Sequence, residues 1–90
     1  MNKLPIIDIN NGDITALYKI IGTNVKKARI AKGVTQLDLA LAIGHKSVST
    51  IAKAESLMEN KHFNIAQLYK ISKALDIELS TLFTTDKNVF

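Results

Sequence analysis

The sequence predicts an all-α domain, and three observations support this fold class. Residues that break regular structure are few, with one proline, Pro5, and four glycines among 90 residues. Apolar residues recur mostly at spacings of three and four, which is the period of an amphipathic helix. Apolar residues make up 47% of the chain and charged residues 22%, the balance of an ordinary globular domain. A chain of this length forms one hydrophobic core.

Residues 1–12 differ in pattern from the rest of the chain. They carry four large aliphatic side chains, Leu4, Ile6, Ile7 and Ile9. These side chains predict a short extended N-terminal segment, which ends at the turn-prone residues 10–13. We expect the segment to cover the core as an extra strand-like layer, or to pair with the same segment of a second chain. Its aliphatic content argues against a disordered arm.

Asp13 is the predicted N-cap of the first helix, because its carboxylate can accept hydrogen bonds from the first turn. The apolar stripe of this helix comprises Ile14, Leu17, Ile20, Ile21, Val25 and Ala28. Gly22 in its middle costs about 1 kcal/mol relative to alanine. The stretch is therefore either one helix or two, with the second starting near Ile20. Gly33, directly after Lys32, ends it at the C′ position.

A second helix is predicted over residues 35–43. Thr35 opens it, and Asp38 three residues later makes a weak version of the Thr-x-x-Glu capping box. Its apolar positions are Leu37, Leu39, Ala40, Leu41 and Ile43. Gly44 ends the helix, so a turn that contains glycine follows it.

A third helix is predicted over residues 47–55, with Ser47 as its N-cap and with Ile51 and Ala54 on one side. The second and third helices together have the dimensions of a helix-turn-helix, and this motif occupies about residues 35–55.

Two further helices complete the predicted domain, which extends over residues 13–83. Asn64 caps the fourth helix after a loop of residues 57–63. The buried stripe of this helix comprises Ile65, Leu68, Ile71 and Leu75. A last short helix passes through residues 79–83 and gives a compact five-helix domain. Residues 84–90 are predicted to be a frayed C-terminal tail.

Composition and spacing argue against an enzyme and against a bound metal or cofactor. The chain has no cysteine, which excludes a disulfide scaffold, a thiolate nucleophile and a cysteine-based zinc site. His45 and His62 are far apart in sequence, and no acidic cluster accompanies them. Ser47, Ser49 and Thr50 lack a neighbouring base held by an acid. No glycine-rich loop suited to phosphates is present.

The charge of the chain suits a nucleic-acid partner. Twelve basic and eight acidic side chains give a formal net charge of +4. No apolar run approaches the roughly 18–20 residues that span a bilayer. The N-terminal apolar stretch is short and interrupted by Pro5 and Asp8, unlike a signal peptide. We therefore expect a cytoplasmic protein with no membrane partner.

Three groups of residues resemble a known family. They are Gly33-Val34-Thr35-Gln36-Leu37-Asp38-Leu39-Ala40, then Ile43-Gly44, then Ser47, Ile51 and Glu55. Residues 68–77, followed by Leu82 and Phe83, are similar to the last two helices of that family. It is the Cro and lambda-repressor-like (XRE-type) family of bacterial and phage DNA-binding regulators. The resemblance covers about residues 20–83 and implies a lambda-repressor-like fold that binds duplex DNA.

The resemblance implies structural roles for five residues. Arg29 and Glu55 match a pair that ties the first helix to the end of the recognition helix. Ala40 matches the small residue that lets the two helices of the motif cross closely. Gly44 matches the turn position where φ is positive, and Ile51 matches a core-facing position of the recognition helix.

A DNA-facing set of residues follows partly from the resemblance and partly from the placement of basic side chains. The set is Gln36, Lys46, Ser47, Val48, Ser49, Thr50, Lys53 and Lys61. Gln36 matches the residue that bridges a phosphate and the recognition helix, and the three lysines are candidate phosphate contacts. Val48, Ser49, Thr50 and Lys53 match positions that face the major groove. The recognition helix has no Arg, Asn or Gln for a bidentate base contact, so we expect modest direct readout.

The predicted function is that of a sequence-specific regulator of transcription that binds double-stranded DNA. The resemblance implies a homodimer on a pseudo-palindromic operator, with a recognition helix of about residues 48–55 in the major groove. Two departures from the family pattern leave an alternative open. The turn of residues 44–47 is one residue longer than the commonest spacing, and the loop of residues 56–63 is about two residues longer. The alternative is a protein-interaction module, or an antitoxin of a toxin–antitoxin pair, with weak or secondary DNA binding.

Overall fold

The computed structural model describes residues 3–85, which contain four α-helices, two short 3-10 helices and no strand. The α-helices are α1 (Asn11–Ala31), α2 (Gln36–Ala42), α3 (Ser49–Ser56) and α4 (Ile65–Ala74). The 3-10 helices are Met58–Asn60 and Leu79–Phe83. The prediction of an all-α fold is confirmed, but the last of the five predicted helices is a 3-10 helix. Residues 86–90, which make up most of the predicted C-terminal tail, lie outside the described residues. None of the described helices is both long and apolar enough to cross a membrane.

The first helix begins earlier than predicted, because Asn10 and not Asp13 is its N-cap. The side chain of Asn10 accepts a hydrogen bond from the backbone N–H of Asp13 at 2.9 Å. The carboxylate of Asp13 accepts one from the backbone N–H of Asn10 at 3.2 Å. This reciprocal pair is a capping box, in which Asp13 occupies the third helical position. The helix continues through Gly22 to Ala31, so the alternative of two helices is wrong.

All buried residues of α1 lie in its C-terminal half. Its buried residues begin at Ile21 and continue through Gly22 and Val25 to Arg29. Ile14 and Leu17 were expected in the buried stripe, but they are 43% and 44% exposed. The stripe therefore extends along α1 beyond the core that it helps to form.

The N-terminal segment does not cover the core. Its four aliphatic residues Leu4, Ile6, Ile7 and Ile9 are 80%, 92%, 69% and 54% exposed. The expectation that this segment forms a layer over the core of its own chain is wrong. The Asn10–Asp13 capping box sets the direction in which the chain enters α1, and the segment before it lies in solvent. We call residues 4–9 the N-terminal arm.

The core lies between the C-terminal half of α1 and the helices that follow it. Its buried apolar residues are Ile21, Val25, Leu39, Ala40, Ile43, Ile51, Ala54, Phe63, Leu68, Ile71, Leu75 and Leu82. Ile65 was expected on a buried stripe, and Leu37 and Leu41 are apolar positions of the second predicted helix, but all three side chains are exposed. Each of these three belongs to a short helix that has only one face against the core, and its side chain lies outside that face.

Two glycines end helices in the left-handed region, as predicted. Gly33 follows α1 with a φ of 70°, and Gly44 follows α2 with a φ of 92°. The N–H of Val34 donates to the carbonyl of Arg29 at 3.0 Å, and the N–H of His45 donates to that of Ala40 at 2.8 Å. Both ends are Schellman motifs, in which a glycine adopts the positive φ without steric cost.

Gly22 permits a close approach of α1 to the end of α3. A Cβ atom at this position would lie 2.8 Å from the carbonyl oxygen of Glu55 and 2.9 Å from that of Ala54. Real Cβ atoms essentially never come so close to a backbone oxygen, so α3 would have to move. The packing of α1 on α3 therefore requires a residue without a side chain at position 22. The low helix propensity of glycine gives no indication of this requirement.

Replacing Gly22 with alanine should lower the free energy of unfolding by about 1–3 kcal/mol through overpacking. Helix propensity alone predicts the opposite, a gain of about 1 kcal/mol. Urea unfolding followed by circular dichroism measures the difference. Ala16→Gly at an exposed position of α1 is the control, and it should lose about 1 kcal/mol through propensity alone. A Gly22→Ala protein more stable than its parent would contradict the close packing of α1 on α3.

Candidate nucleic-acid interface

A buried ion pair joins the end of α1 to the end of α3. The Nε atom of Arg29 donates to Oε2 of Glu55 at 2.8 Å, and Nη2 of Arg29 donates to Oε1 of Glu55 at 3.1 Å. The two residues are only 8% and 7% exposed. Two parallel hydrogen bonds between a guanidinium and a carboxylate fix orientation as well as distance. The structure thus brings together the two residues that the sequence suggested as a pair.

Two further hydrogen bonds extend this ion pair to α2. Nη1 of Arg29 donates to the carbonyl oxygen of Val34 at 2.9 Å, in the loop before α2. Nε2 of Gln36, the first residue of α2, donates to Oε1 of Glu55 at 3.0 Å. The Arg29–Glu55–Gln36 network therefore connects α1, α2 and α3. Within residues 3–85, every buried side-chain nitrogen and oxygen has a hydrogen-bond partner.

The start of α2 is held by the capping box that the sequence predicted. The hydroxyl of Thr35 accepts from the N–H of Asp38 at 3.0 Å, and the carboxylate of Asp38 accepts from the N–H of Thr35 at 3.2 Å. This cap fixes where Gln36 begins the helix. Gln36 is half-buried, with its amide nitrogen on Glu55.

The start of α3 differs from the prediction, because Ser47 is not its N-cap. The helix begins at Ser49, and Val48 occupies the N-cap position with a φ of −71° and a ψ of −16°. The aliphatic side chain of Val48 accepts no hydrogen bond, so the first N–H groups of α3 have no N-cap acceptor. The long connection between α2 and α3 places Ser47 one residue too early to cap the helix.

The two faces of α3 differ in burial and in polarity. Ile51 and Ala54 are buried against the core, next to Glu55. The positions before and between them that the sequence assigned to DNA are Lys46, Ser47, Val48, Ser49, Thr50 and Lys53. Of these, Thr50 and Lys53 are half-buried and the others are exposed. They lie on the connection to α3 or on α3 itself, whereas Lys61 lies exposed beyond the Met58–Asn60 turn.

Lys53 is engaged by a carboxylate that the sequence did not single out. Nζ of Lys53 lies 2.7 Å from Oε2 of Glu59. The hydrogen bond from Lys53 and its positive charge lower the pKa of the Glu59 carboxyl below its ordinary value of 4.5, and the charge of Lys61 lowers it further. Glu59 is therefore ionised at neutral pH. Protonation of Glu59 breaks the pair when the pH falls through this lowered pKa.

The turn that carries Glu59 has an unusual backbone. Leu57, Glu59 and Asn60 have φ values of 57°, 57° and 59°, in the left-handed region that favours glycine. Asn60 alone is of a residue type that often adopts this region. No glycine follows Gly44 in the sequence, so nothing local predicted this conformation or the placement of Glu59 beside Lys53.

A second contact missed by the sequence joins α1 to this turn. The rings of Tyr18 and His62 are stacked, with their centroids 3.7 Å apart and an interplanar angle of 9°. Ile14 and Leu57 line the cleft beside this stack, which has a volume of about 410 Å³. Within the described part of the chain, no three His, Asp or Glu residues are grouped as metal ligands.

The chain matches the model of a protein family. The family model described as helix-turn-helix matches residues 25–82. This range includes the last third of α1, both helices of the predicted motif, α4 and most of the last 3-10 helix. A search of curated proteins finds no significant match.

Replacing Glu55 with alanine should lower the free energy of unfolding by about 3–5 kcal/mol, because it leaves Arg29 as a buried charge without a partner. Glu55→Gln, which keeps the shape and removes the charge, should have a smaller effect. Urea unfolding gives both values. The matched control is Glu59→Ala, which removes an exposed carboxylate from a lysine and should change stability little. If the Glu55→Ala protein unfolds at the urea concentration of its parent, the network is not a structural anchor.

Proposed function

The chain belongs to the Cro/C1-type helix-turn-helix (XRE) family, and on this premise we propose that it is a regulator of transcription that binds specific sequences of duplex DNA. The observation that carries the proposal is the helix pair α2 and α3, fixed to α1 by the Arg29–Glu55–Gln36 network. In this proposal α3 is the recognition helix and lies in the major groove. The proposed site of action is the cytoplasm.

The side chains proposed to meet the bases are short. Val48, Ser49 and Thr50 lie at the start of α3, where a recognition helix contacts base edges. Serine and threonine hydroxyls can both donate and accept, and a valine methyl can contact the methyl group of thymine. Such contacts discriminate weakly. We therefore propose that the shape and deformability of the DNA contribute a large share of specificity.

The groups proposed to hold the DNA backbone surround these side chains. Lys46 and Ser47 are exposed before α3, and Lys61 is exposed beyond its end. The N–H groups in the first turn of α3 have no N-cap acceptor and suit a phosphate oxygen. Gln36 is proposed to contact a phosphate while its amide nitrogen orients on Glu55. The net charge of +4 favours association with DNA.

In the proposed interface, the carboxylate of Glu59 competes with DNA phosphates for Lys53. Lys53 is proposed to approach DNA from α3, yet its ammonium group is paired with Glu59 at 2.7 Å. A phosphate that approaches Lys53 competes with Glu59 for the N–H donors of its ammonium group. The same approach brings the Glu59 carboxylate close to the negatively charged backbone. Glu59 is therefore proposed to weaken binding to DNA of any sequence.

The proposed assembly is a homodimer on a pseudo-palindromic operator, because two copies of α3 then read two half-sites one helical turn apart. The alternative function is that of a protein-interaction module or antitoxin, for which DNA binding is weak or secondary. The exposed N-terminal arm is the observation that would suit such a protein partner.

Selection of bound sequences from random duplex DNA, at a stated salt concentration near physiological, tests the proposed function. Enrichment of a palindromic motif is the expected result, and the motif would give the half-site spacing directly. A second selection with Thr50→Ala should relax the preference at one position in each half-site. Weak, salt-sensitive binding without an enriched motif would reflect phosphate attraction alone and would overturn sequence-specific regulation.

Replacing Glu59 with glutamine should strengthen DNA binding about three- to tenfold, because it frees Lys53 for a phosphate. The slope of log affinity against log salt concentration should steepen by about one unit. Lys53→Ala should weaken binding without lowering the melting temperature. Fluorescence anisotropy with the selected duplex, titrated at several salt concentrations, measures both variants.

The matched control for this pair is Glu78→Gln, which makes the same charge change at an exposed position before the last 3-10 helix. It corrects for the gain of one net positive charge. Equal effects of Glu59→Gln and Glu78→Gln would show that Glu59 acts only through net charge. Unchanged affinity in Lys53→Ala would remove Lys53 from the interface.

A further inference from the structure

An uncovered apolar surface runs from the N-terminal arm onto the first turns of α1. Its members are Leu4, Ile6, Ile7, Ile9, Ile14 and Leu17. Soluble monomers rarely expose a contiguous apolar patch larger than a few hundred Å². Ile14 and Leu17 also continue, at helical spacing, the stripe that Ile21 and Val25 bury in the core. Within residues 3–85 this part of the stripe remains more than two-fifths exposed.

We propose that this surface is the contact between two copies of the chain, in which the N-terminal arm of each copy lies against the N-terminal half of α1 of the other. The proposal deepens the proposed function by naming the surface of the homodimer, and it rests on that function only for the role of the dimer. A two-fold arrangement would cover both patches at once, because the same surface is used on each copy.

The size of the surface is that of a stable dimer interface. At their observed exposures, the six residues offer roughly 700 Å² per copy, close to the roughly 800 Å² that each partner buries in a standard interface. A smaller patch, such as a single exposed leucine on α2, would not sustain a dimer. The N-terminal half of α1 alone would also be marginally stable as a helix in water, and a partner would support it.

The cleft beside the Tyr18–His62 stack offers a seat for the arm of the second copy. It opens between α1 and the turn after α3, with Ile14 and Leu57 among its walls and Lys61 at its side. The arm of the same chain leaves this cleft open, because its aliphatic side chains lie in solvent. Exchange of arms between two copies thus covers both the aliphatic side chains of the arm and the cleft beside the Tyr18–His62 stack.

The charges of this region favour a second copy over DNA as the occupant. Asp8 lies in the arm and Asp13 lies in the first turn of α1, and phosphates would repel both carboxylates. The basic residues Lys3 and Lys19 flank the same region, so two copies meet with mixed charges. An aliphatic surface with balanced charge is suited to self-association.

The mass of the full chain in solution, without DNA, tests the proposal. Sedimentation equilibrium over a concentration series should give twice the mass of one chain. The double variant Ile6→Glu, Ile7→Glu should raise the dissociation constant of the dimer at least tenfold, because it buries carboxylates in the contact. Leu17→Glu should do the same from the α1 side. Circular dichroism should show that the arm variant still unfolds in a cooperative transition, because its substituted side chains do not touch the core.

Ile65→Glu is the matched control, since Ile65 is as exposed as Ile7 but lies at the start of α4. It should leave the dimer intact. A parent chain that keeps the mass of one copy throughout the series would overturn the proposal. So would an arm variant that stays dimeric, or an Ile65→Glu protein that dissociates. A dimer that enriches no DNA motif would refute the proposed function while leaving this interface in place.

Discussion

The geometry of the candidate interface depends on one buried interaction, the bidentate pairing of Arg29 with Glu55. Glu55 accepts hydrogen bonds from α1 and from α2 while it sits near the end of α3, so three helices share one carboxylate. Such a buried pair adds little net stability compared with apolar packing, because both charges lose their hydration. Its value here is directional, since a guanidinium fork accepts a carboxylate in few orientations. The close approach of Gly22 to the backbone of Glu55 fixes the distance between α1 and α3, and the ion pair fixes their orientation.

The parts of the fold that the sequence predicted are those with a local cause. Thr35 and Asn64 are followed by side chains that complete capping boxes, and Gly33 and Gly44 end helices through positive φ. The errors have non-local causes. Ser47 has the chemistry of a cap but lies one residue outside α3, and Ile14 has the spacing of a core residue but lies beyond the core. The close approach at Gly22 depends on the backbone of another helix, which no local pattern reveals.

The candidate site was predictable to a different degree. The pairing of Arg29 with Glu55 and the burial of Ile51 came from resemblance to a family and agree with the geometry. The role of Glu59 was not predicted, because its position depends on a left-handed turn that contains no glycine. The placement of Glu59 matters for function. The sequence suggests that Lys53 is free to contact DNA, whereas the structure pairs it with Glu59. The charge of the surface is set by partners from the following loop as much as by the helix itself.

The turn of left-handed residues after α3 also bears on the motions of the molecule. Leu57, Glu59 and Asn60 hold backbone conformations that relax as soon as their neighbours release them. Segments with strain and few buried side chains open at a lower free energy than the core, in local fluctuations that amide hydrogen exchange detects. The turn after α3 is therefore expected to open before the helix itself, which Ile51, Ala54 and Glu55 hold against the rest of the domain. In the proposed function, such opening would release Glu59 from Lys53 at the surface while α3 keeps its position on α1 and α2.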